Sequence, residues 1–170
     1  MELRGRGWVG DDELADELDA LLGDGAAQPL RLLPVDLEEL ATVLEGDPLT
    51  GGGRLDITTG EVWPAAVFED SWDIGEDADD DPDRWLSIEN LGSRNGYRDM
   101  QEFIGTIGNS DRADRLEIAI EGRGAFHRFK NTLARWPAEL QRWHDFSGER
   151  QRGRARAWLA DEGYRPMPNA

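Results

Sequence analysis

The sequence contains no cysteine, has only two histidines and lacks any run of eighteen consecutive apolar residues. Without cysteine the chain has no disulfide, no thiolate metal site and no thiol nucleophile. A membrane-spanning helix needs about 20 mostly apolar residues, so none is expected. No apolar run follows Arg4 and Arg6 before the acidic residues begin, which is unlike a secretory signal peptide. We therefore expect a cytosolic protein that does not enter a membrane.

Basic residues are scarce in the first half of the chain. Residues 1–90 contain 25 acidic and 5 basic residues, and residues 91–170 contain 11 acidic and 14 basic ones, which together give the net charge of −17. An acidic surface repels nucleic acid and anionic membranes and attracts basic protein surfaces. The charge predicts either a docking half for a basic protein or a surface that only keeps the chain in solution.

The apolar pattern of the first half changes from helical to alternating. Helical stripes cover residues 11–22 and 36–45, and Asp36 is placed as the N-cap of the second helix. After three consecutive glycines, the segment LDITTGEV predicts a β-hairpin whose turn uses a positive φ at Gly60. Pro64 cannot donate to a ladder, so the second strand of the hairpin is expected at an edge or a bulge.

The remaining pattern is one strand followed by short helices. Residues 84–89 alternate and predict a third strand, and the acidic residues 70–83 before it predict a mobile loop. Asp111 is placed as a helix cap and Pro137 in the first turn of a helix. The predicted C-terminal helices cover residues 97–107, 111–120, 126–136, 137–146 and 149–162.

These elements predict an α+β fold, with a small three-stranded antiparallel sheet, N-terminal helices and a C-terminal bundle of short helices. Residues 1–34 are predicted to be a helical extension and residues 35–170 the α+β domain. The predicted core consists of the large residues on the apolar faces: Leu55, Ile57, Leu86, Ile88, Phe103, Phe126, Phe129, Leu133, Trp136, Trp143 and Trp158.

The order of several motifs resembles a known family. The segments LDITTGEV, RWLSI, YRDMQEFI, AIEGRGAFHRFKNTL, the W-x-x-F of WHDF and ARAWLADEGY are similar to uncharacterised protein family 158 of the UPF series, over about residues 35–165. The most specific part is Gly122-Arg123-Gly124-Ala125-Phe126, followed by Arg128-Phe129-Lys130. The resemblance implies a bacterial protein with this fold outline, and it implies no reaction, ligand or functional residue.

The segment from Gly122 to Lys130 is the first candidate site. Glycines permit close approach of a ligand, and a helix N-terminus offers free N–H groups to an anion. The anion-binding candidates are Arg123, Gly124, Arg128 and Lys130. The segment lacks the Lys-Ser/Thr pair of a phosphate-binding P-loop and does not follow a strand. The alternative is a tight turn between two helices.

Arginines crowd the end of the chain at positions 142, 150, 152, 154 and 156. Pairs four residues apart share a helix face and could contact a nucleic-acid backbone. The alternative, favoured by the acidic excess nearby, is that these arginines pair with acidic residues of the first half.

The acidic run around Asp79, Asp80 and Asp81 is the second candidate site, as a partner-binding surface. It fails the calcium-loop pattern, because no frame that starts at one of its acids has glycine sixth or glutamate twelfth. His127 and His144 lack metal-ligand spacing, so we predict no metal site. Asp56 and Glu61 flank the hairpin turn and could act as acid and base, although such residues more often form the solvent face of a hairpin.

The sequence favours a non-enzymatic cytosolic protein-interaction module with an acidic docking half and a basic protein as its partner. It predicts no catalytic residue and no cofactor. Two alternatives stay open: a small-anion or nucleotide binder or enzyme that uses the Gly122–Lys130 turn, and a nucleic-acid binder that uses the C-terminal arginines.

Overall fold

The computed structural model describes residues 3–23, 30–46, 52–70 and 83–168. The chain forms two compact units, a first unit of Met1–Gly92 with Arg150–Ala170 and a second unit of Ser93–Glu149. The predicted boundary at residue 34 stays a prediction, and the described part of residues 1–34 lies in the first unit. No helix within the described ranges is long and apolar enough to cross a membrane.

The first unit combines helices with two small sheets. Its described elements are α1 (Leu3–Arg6), α2 (Asp11–Leu22), β1 (Arg31–Leu33), α3 (Leu37–Glu45), β2 (Gly53–Asp56), β3 (Val62–Pro64), α4 (Ala65–Asp70), β4 (Trp85–Ile88), β5 (Tyr164–Pro166) and the last part of α8 (Pro137–Asp161). The α3 helix begins as predicted, because the Asp36 carboxylate accepts hydrogen bonds from the amides of Glu38 and Glu39.

The predicted three-stranded antiparallel sheet is confirmed, with the strand order β3–β2–β4. In its register Leu55 lies opposite Val62 on one side and Leu86 on the other. Gly60 has a φ of 80° in the hairpin turn, as the sequence predicted. Pro64 ends β3, an edge strand, where its missing N–H leaves no gap in the ladder. The α+β class is therefore confirmed.

A second sheet, which the sequence pattern did not predict, joins β1 and β5 in parallel. Arg31 lies opposite Tyr164 and Leu33 lies opposite Pro166. Three-residue strands contain too few residues for a period of two to be recognised. This pairing brings residues 31–33 next to residues 164–166, far away in sequence, within the first unit.

The second unit is helical and has an aromatic core. Its described helices are α5 (Arg94–Gly105), α6 (Ser110–Ile120), α7 (Ala125–Leu133) and the first part of α8. The rings of Phe103, Phe129 and Trp143 meet edge to face, with the Phe129 and Trp143 centroids 4.8 Å apart. The predicted cap at Asp111 is wrong: Asn109 caps α6 and its side chain accepts from the Arg112 amide.

The two predicted C-terminal helices, 137–146 and 149–162, are one continuous helix, α8, of 25 residues. Gly148 and Gly153 have low intrinsic helix propensity, but the helix continues through both. Gly153 instead permits close packing, because a Cβ atom there would overlap the Val9 carbonyl oxygen. The helix ends shortly before Gly163, which has a φ of 86°.

Most of the predicted core is confirmed. Leu55, Ile88, Phe103, Phe129, Leu133 and Trp143 are buried, and Ile57, Leu86, Trp136 and Trp158 are partly buried against the cores. The prediction that Phe126 belongs to the core is wrong, since its side chain is 38% exposed. The buried residues of α7 are Ala125, Phe129 and Leu133, four apart, and this stripe leaves Phe126 at its margin.

Candidate functional site

The charge of the chain is divided between the two units. The second unit contains nine acidic and nine basic residues, so the whole net charge of −17 belongs to the first unit. The predicted partner-binding residues Asp79, Asp80 and Asp81 and most of the predicted mobile loop 70–83 lie outside the described residues. The acidic docking surface therefore stays a prediction.

Arg152, Arg154 and Arg156 pair with acidic residues of the first half, as the sequence favoured. Arg152 contacts Glu38 at 3.0 Å, and Arg156 contacts Glu17 at 3.3 Å. Arg154 contacts both carboxylate oxygens of Glu45, with 2.9 Å between Nη2 and Oε2. The guanidinium of Arg150 lies over the ring of Trp8, 5.1 Å from its centroid. In the second unit Arg142 pairs with Glu139 at 2.6 Å.

The Gly122–Lys130 segment forms a turn between α6 and α7. Gly122 and Gly124 have φ values of 71° and 75°, and Gly124 is the N-cap of α7. The guanidinium of Arg128 donates to the carbonyls of Ala119, Glu121 and Arg123. These contacts satisfy carbonyl groups at the end of α6. The glycine at 124 leaves room for them, because a Cβ there would lie 3.2 Å from Arg128 Nη1.

The four anion-binding candidates are thus close in sequence but differ in what their side chains do. Arg128 already donates to backbone carbonyls, and Gly124 contributes backbone only. The side chains of Arg123 and Lys130 are exposed, and Lys130 lies towards the C-terminal end of α7. Anion binding at this turn stays a prediction.

Asp56 is neither a solvent-facing residue nor an exposed acid. Its side chain is 1% exposed and accepts from Arg84 at 2.5 Å and from the amide of Thr58 at 2.7 Å. Burial alone would raise the pKa of Asp56, but the Arg84 hydrogen bonds and the Thr58 and Thr59 amides outweigh it and lower that pKa. Asp56 is therefore a buried anion that organises the hairpin turn, whereas Glu61 is exposed.

The described residues contain no group of three or more His, Asp or Glu side chains that could hold a metal ion. His127 Nε2 lies 2.9 Å from the Asn131 side-chain nitrogen, one turn along α7.

A cavity of about 720 Å³ lies in the first unit, and sequence reasoning missed it. Four parts of the chain line it: α2, the last part of α8, residues 165–168, and residues 34–38, which lead into α3. Its wall mixes leucine, proline and methionine with three arginines and three acids. Because it joins residues from four separate parts of the chain, no local motif marks it.

Three buried polar atoms of the cavity residues lack hydrogen-bond partners among the described residues: Glu17 Oε1, Arg156 Nε and Arg165 Nε. Glu17 and Arg156 form an ion pair at 3.3 Å, but the geometry is not that of a hydrogen bond. Burial raises the pKa of Glu17, and the charges of Arg156 and Arg165 oppose that rise. All three atoms have almost no solvent-accessible surface, and Arg156 Nε and Glu17 Oε1 lie against each other.

Comparison with protein families matches residues 65–169 to the uncharacterised protein family UPF0158. The chain belongs to this family. The resemblance identified from the sequence motifs is thereby confirmed. A UPF0158 protein of Pseudomonas aeruginosa, PA5073, is 27% identical over 137 residues, which are 81% of this chain and 88% of that protein. No solved structure matches the chain.

The UPF0158 match covers one side of the cavity. Arg152, Arg156 and Arg165 lie within the matched region, whereas Glu17 and residues 34–38 precede it.

Proposed function

We propose that this UPF0158 protein is a non-enzymatic interaction module of the cytosol that docks a basic protein against its acidic first unit. The observation that supports the proposal is the segregation of charge: the first unit carries a net −17 and the second unit carries none. A field of one sign raises the rate at which an oppositely charged partner arrives. The three arginines that contact Glu17, Glu38 and Glu45 neutralise only part of this excess.

Binding of a lysine- and arginine-rich 20-residue peptide to the full chain tests the proposal. We expect the association rate to fall steeply as salt rises, because exposed charges are screened within about 10 Å at 0.1 M ionic strength. Neutralising the three candidate aspartates together (D79N, D80N and D81N) is expected to slow association by about tenfold at low salt and to leave the melting temperature unchanged.

A matched triple variant separates a defined docking surface from general attraction. Glu39, Glu61 and Glu89 are exposed acids of the same unit, and E39Q, E61Q and E89Q together remove the same charge. If docking is local, only the aspartate variant slows association. Equal slowing by both variants, or by neither, would contradict a docking surface at residues 79–81.

The two alternatives have less support from the described contacts. Arg128 is exposed but donates to three backbone carbonyls, so Arg123 and Lys130 are the other exposed cations of that turn. The guanidinium groups of Arg152, Arg154 and Arg156 form ion pairs with glutamates, which compete with contacts to nucleic-acid phosphates. Thermal stabilisation by phosphate or nucleotides would favour anion binding, and salt-sensitive retention on DNA or RNA would favour nucleic-acid binding.

A further inference from the structure

A groove of about 290 Å³ lies between α5 and α6 in the second unit. Its residues are spaced by three and four, which places them on one face of each helix: Tyr97, Gln101 and Ile104 of α5, and Glu117, Ile120 and Glu121 at the end of α6. Ile104 and Ile120 are 3% and 5% exposed, so the floor of the groove is apolar. Small-molecule sites measure about 300–1,000 Å³, so this smaller volume suits one long side chain.

The groove carries two negative charges and no positive one. Glu117 and Glu121 are exposed, and neither carboxylate forms an ion pair or a hydrogen bond with a described residue. Arg128 donates to the backbone carbonyl of Glu121 and not to its carboxylate. Since the second unit contains nine acidic and nine basic residues, this excess of one sign is local to the groove.

The two glutamates lie where the electrostatics of a helix disfavour acids. They are four residues apart, and like charges at that spacing destabilise a helix. Glu117 is in the last turn of α6 and Glu121 is its C-cap, at the negative end of the helix dipole, and the last turn contains no basic residue. Proteins that break such a local rule commonly do so at a functional site. A cation bound between the two carboxylates would relieve both unfavourable terms.

We propose that this groove binds an arginine side chain of the basic partner. The methylene groups cover the apolar floor, and the guanidinium pairs with Glu117 and Glu121 and lies against the ring of Tyr97. Arginine fits better than lysine, because its planar group donates to two carboxylates at once and stacks on an aromatic ring. The inference rests on the proposed function for the basic character of the partner, but it concerns the second unit and not the acidic field of the first.

The test uses the full chain and short peptides that differ at one position. Each is acetyl-Gly-Ser-X-Ser-Gly-amide, where X is arginine, lysine or citrulline, and citrulline keeps the shape of arginine without its charge. Affinity is measured by NMR titration of the isotope-labelled chain at about 0.15 M salt, which screens the field of the first unit beyond about 8 Å.

The arginine peptide is expected to bind at least about tenfold more tightly than the citrulline peptide, and to shift amide signals of residues 97–121. Equal affinity for these two peptides would overturn the ion pair with the glutamates. Equal or tighter binding of the lysine peptide would overturn the choice of arginine.

Charge variants of α6 locate the contact. E117Q and E121Q together are expected to weaken the arginine peptide by about tenfold and to leave the melting temperature equal or higher, because they remove an unfavourable pair. D111N and D114N are the matched control, since they remove the same charge from exposed positions in the first half of the same helix, and they should leave the affinity unchanged. Equal weakening by both double variants would overturn the groove. A lower melting temperature in the glutamate variant would show that the fold itself uses these charges and would contradict the argument for a ligand.

The ring of Tyr97 gives a second, uncharged readout. Tyr97→Leu is expected to weaken the arginine peptide by about threefold, through loss of the contact between the guanidinium and the ring. Tyr97→Phe keeps the ring and should keep the affinity. Equal losses in the two variants would contradict the stacking.

The groove and the docking surface of the first unit fail in different ways. If the lysine- and arginine-rich peptide depends on residues 79–81 while the single-arginine peptide does not bind, the groove is overturned and the proposed function stands. If the single-arginine peptide binds as expected while the basic peptide is indifferent to residues 79–81, the groove stands and the docking surface is overturned. Absence of both effects would overturn both.

Discussion

Phe126 and Phe129 lie three residues apart on α7, and their different surroundings show how much one position on a helix changes the role of a side chain. Phe129 is fully buried between Phe103 and Trp143, whereas Phe126 is 38% exposed and lies against Gly96. The sequence placed both in the core because both are large and apolar. Burial depends on which face of the helix the second unit covers.

This difference predicts unequal costs for the same truncation. Phe129→Ala is expected to lower the free energy of unfolding by about 3–5 kcal/mol, because it leaves a cavity in a packed aromatic cluster. Phe126→Ala is the matched control, with an expected change below about 1 kcal/mol. Urea unfolding of both variants measures the difference. Similar losses for the two would show that the buried face of α7 is wrongly assigned.

Asp56 predicts a pH dependence of stability whose sign follows from its lowered pKa. An acid with a folded-state pKa below its ordinary value of 3.8 adds stability above that pH and loses it as the pH falls through the folded-state pKa. Asp56→Asn is therefore expected to flatten the acid limb of a plot of unfolding free energy against pH below about 4. Glu61→Gln removes the same charge from an exposed neighbour and should keep the limb. An unchanged acid limb in Asp56→Asn would contradict this role.

Helix α8 shows how contacts decide where an element ends. Two glycines and Ser147 near its middle weaken helix propensity, yet the helix runs unbroken for 25 residues. Within the first unit, Gly153 is buried where the chain before α2 crosses α8, close to the Val9 carbonyl. Gly153 thus lowers the intrinsic helix propensity of α8, but the close packing at this position requires a residue without a Cβ atom.

Replacement of that glycine is expected to destabilise the protein. Gly153→Ala gains helix propensity of about 0.5–1 kcal/mol, but its Cβ would overlap the Val9 carbonyl, so a net loss of about 1–3 kcal/mol is expected. Gly105→Ala at the end of α5 is the control, since nothing lies within 4 Å of a Cβ there, and stability should stay equal or rise. Thermal melting compares the two, and a more stable Gly153→Ala variant would contradict the close packing.

The arginines of α8 pair with glutamates from distant parts of the chain within the first unit. The contribution of each ion pair to stability depends on its burial. Arg154 and Glu45 are 109 residues apart, and their side chains are only 9% and 5% exposed. Arg152 and Glu38 form a similar pair at the surface, with side chains 38% and 74% exposed. Water screens the second pair and not the first.

Removing one partner from each pair measures this difference. Arg154→Gln is expected to cost about 3–5 kcal/mol, because it leaves the buried Glu45 carboxylate without its partner. Arg152→Gln is expected to cost at most about 1 kcal/mol. Chemical unfolding at low and high salt provides the test, with salt reducing only the smaller effect. Equal costs for the two variants would show that burial does not set the strength of these pairs.

Local features were predictable because short segments determine them. The boundaries of α2 and α3, the Asp36 cap, the Gly60 turn and the edge position of Pro64 each depend on a few neighbouring residues whose backbone preferences are strong. The membership of the UPF0158 family was likewise readable from consecutive motifs. The acidic excess of the first half is a property of composition and needed no coordinates.

Features that join distant segments were not predictable from the pattern. The β1–β5 pairing, the buried Asp56–Arg84 ion pair and the continuity of α8 depend on contacts between residues far apart in sequence. The cavity is the clearest case, because Glu17, Arg156 and Arg165 carry no shared motif and meet only after the chain has folded. Periodicity assigns residues to faces of single elements, but the packing of elements decides which charges are buried and which of them pair.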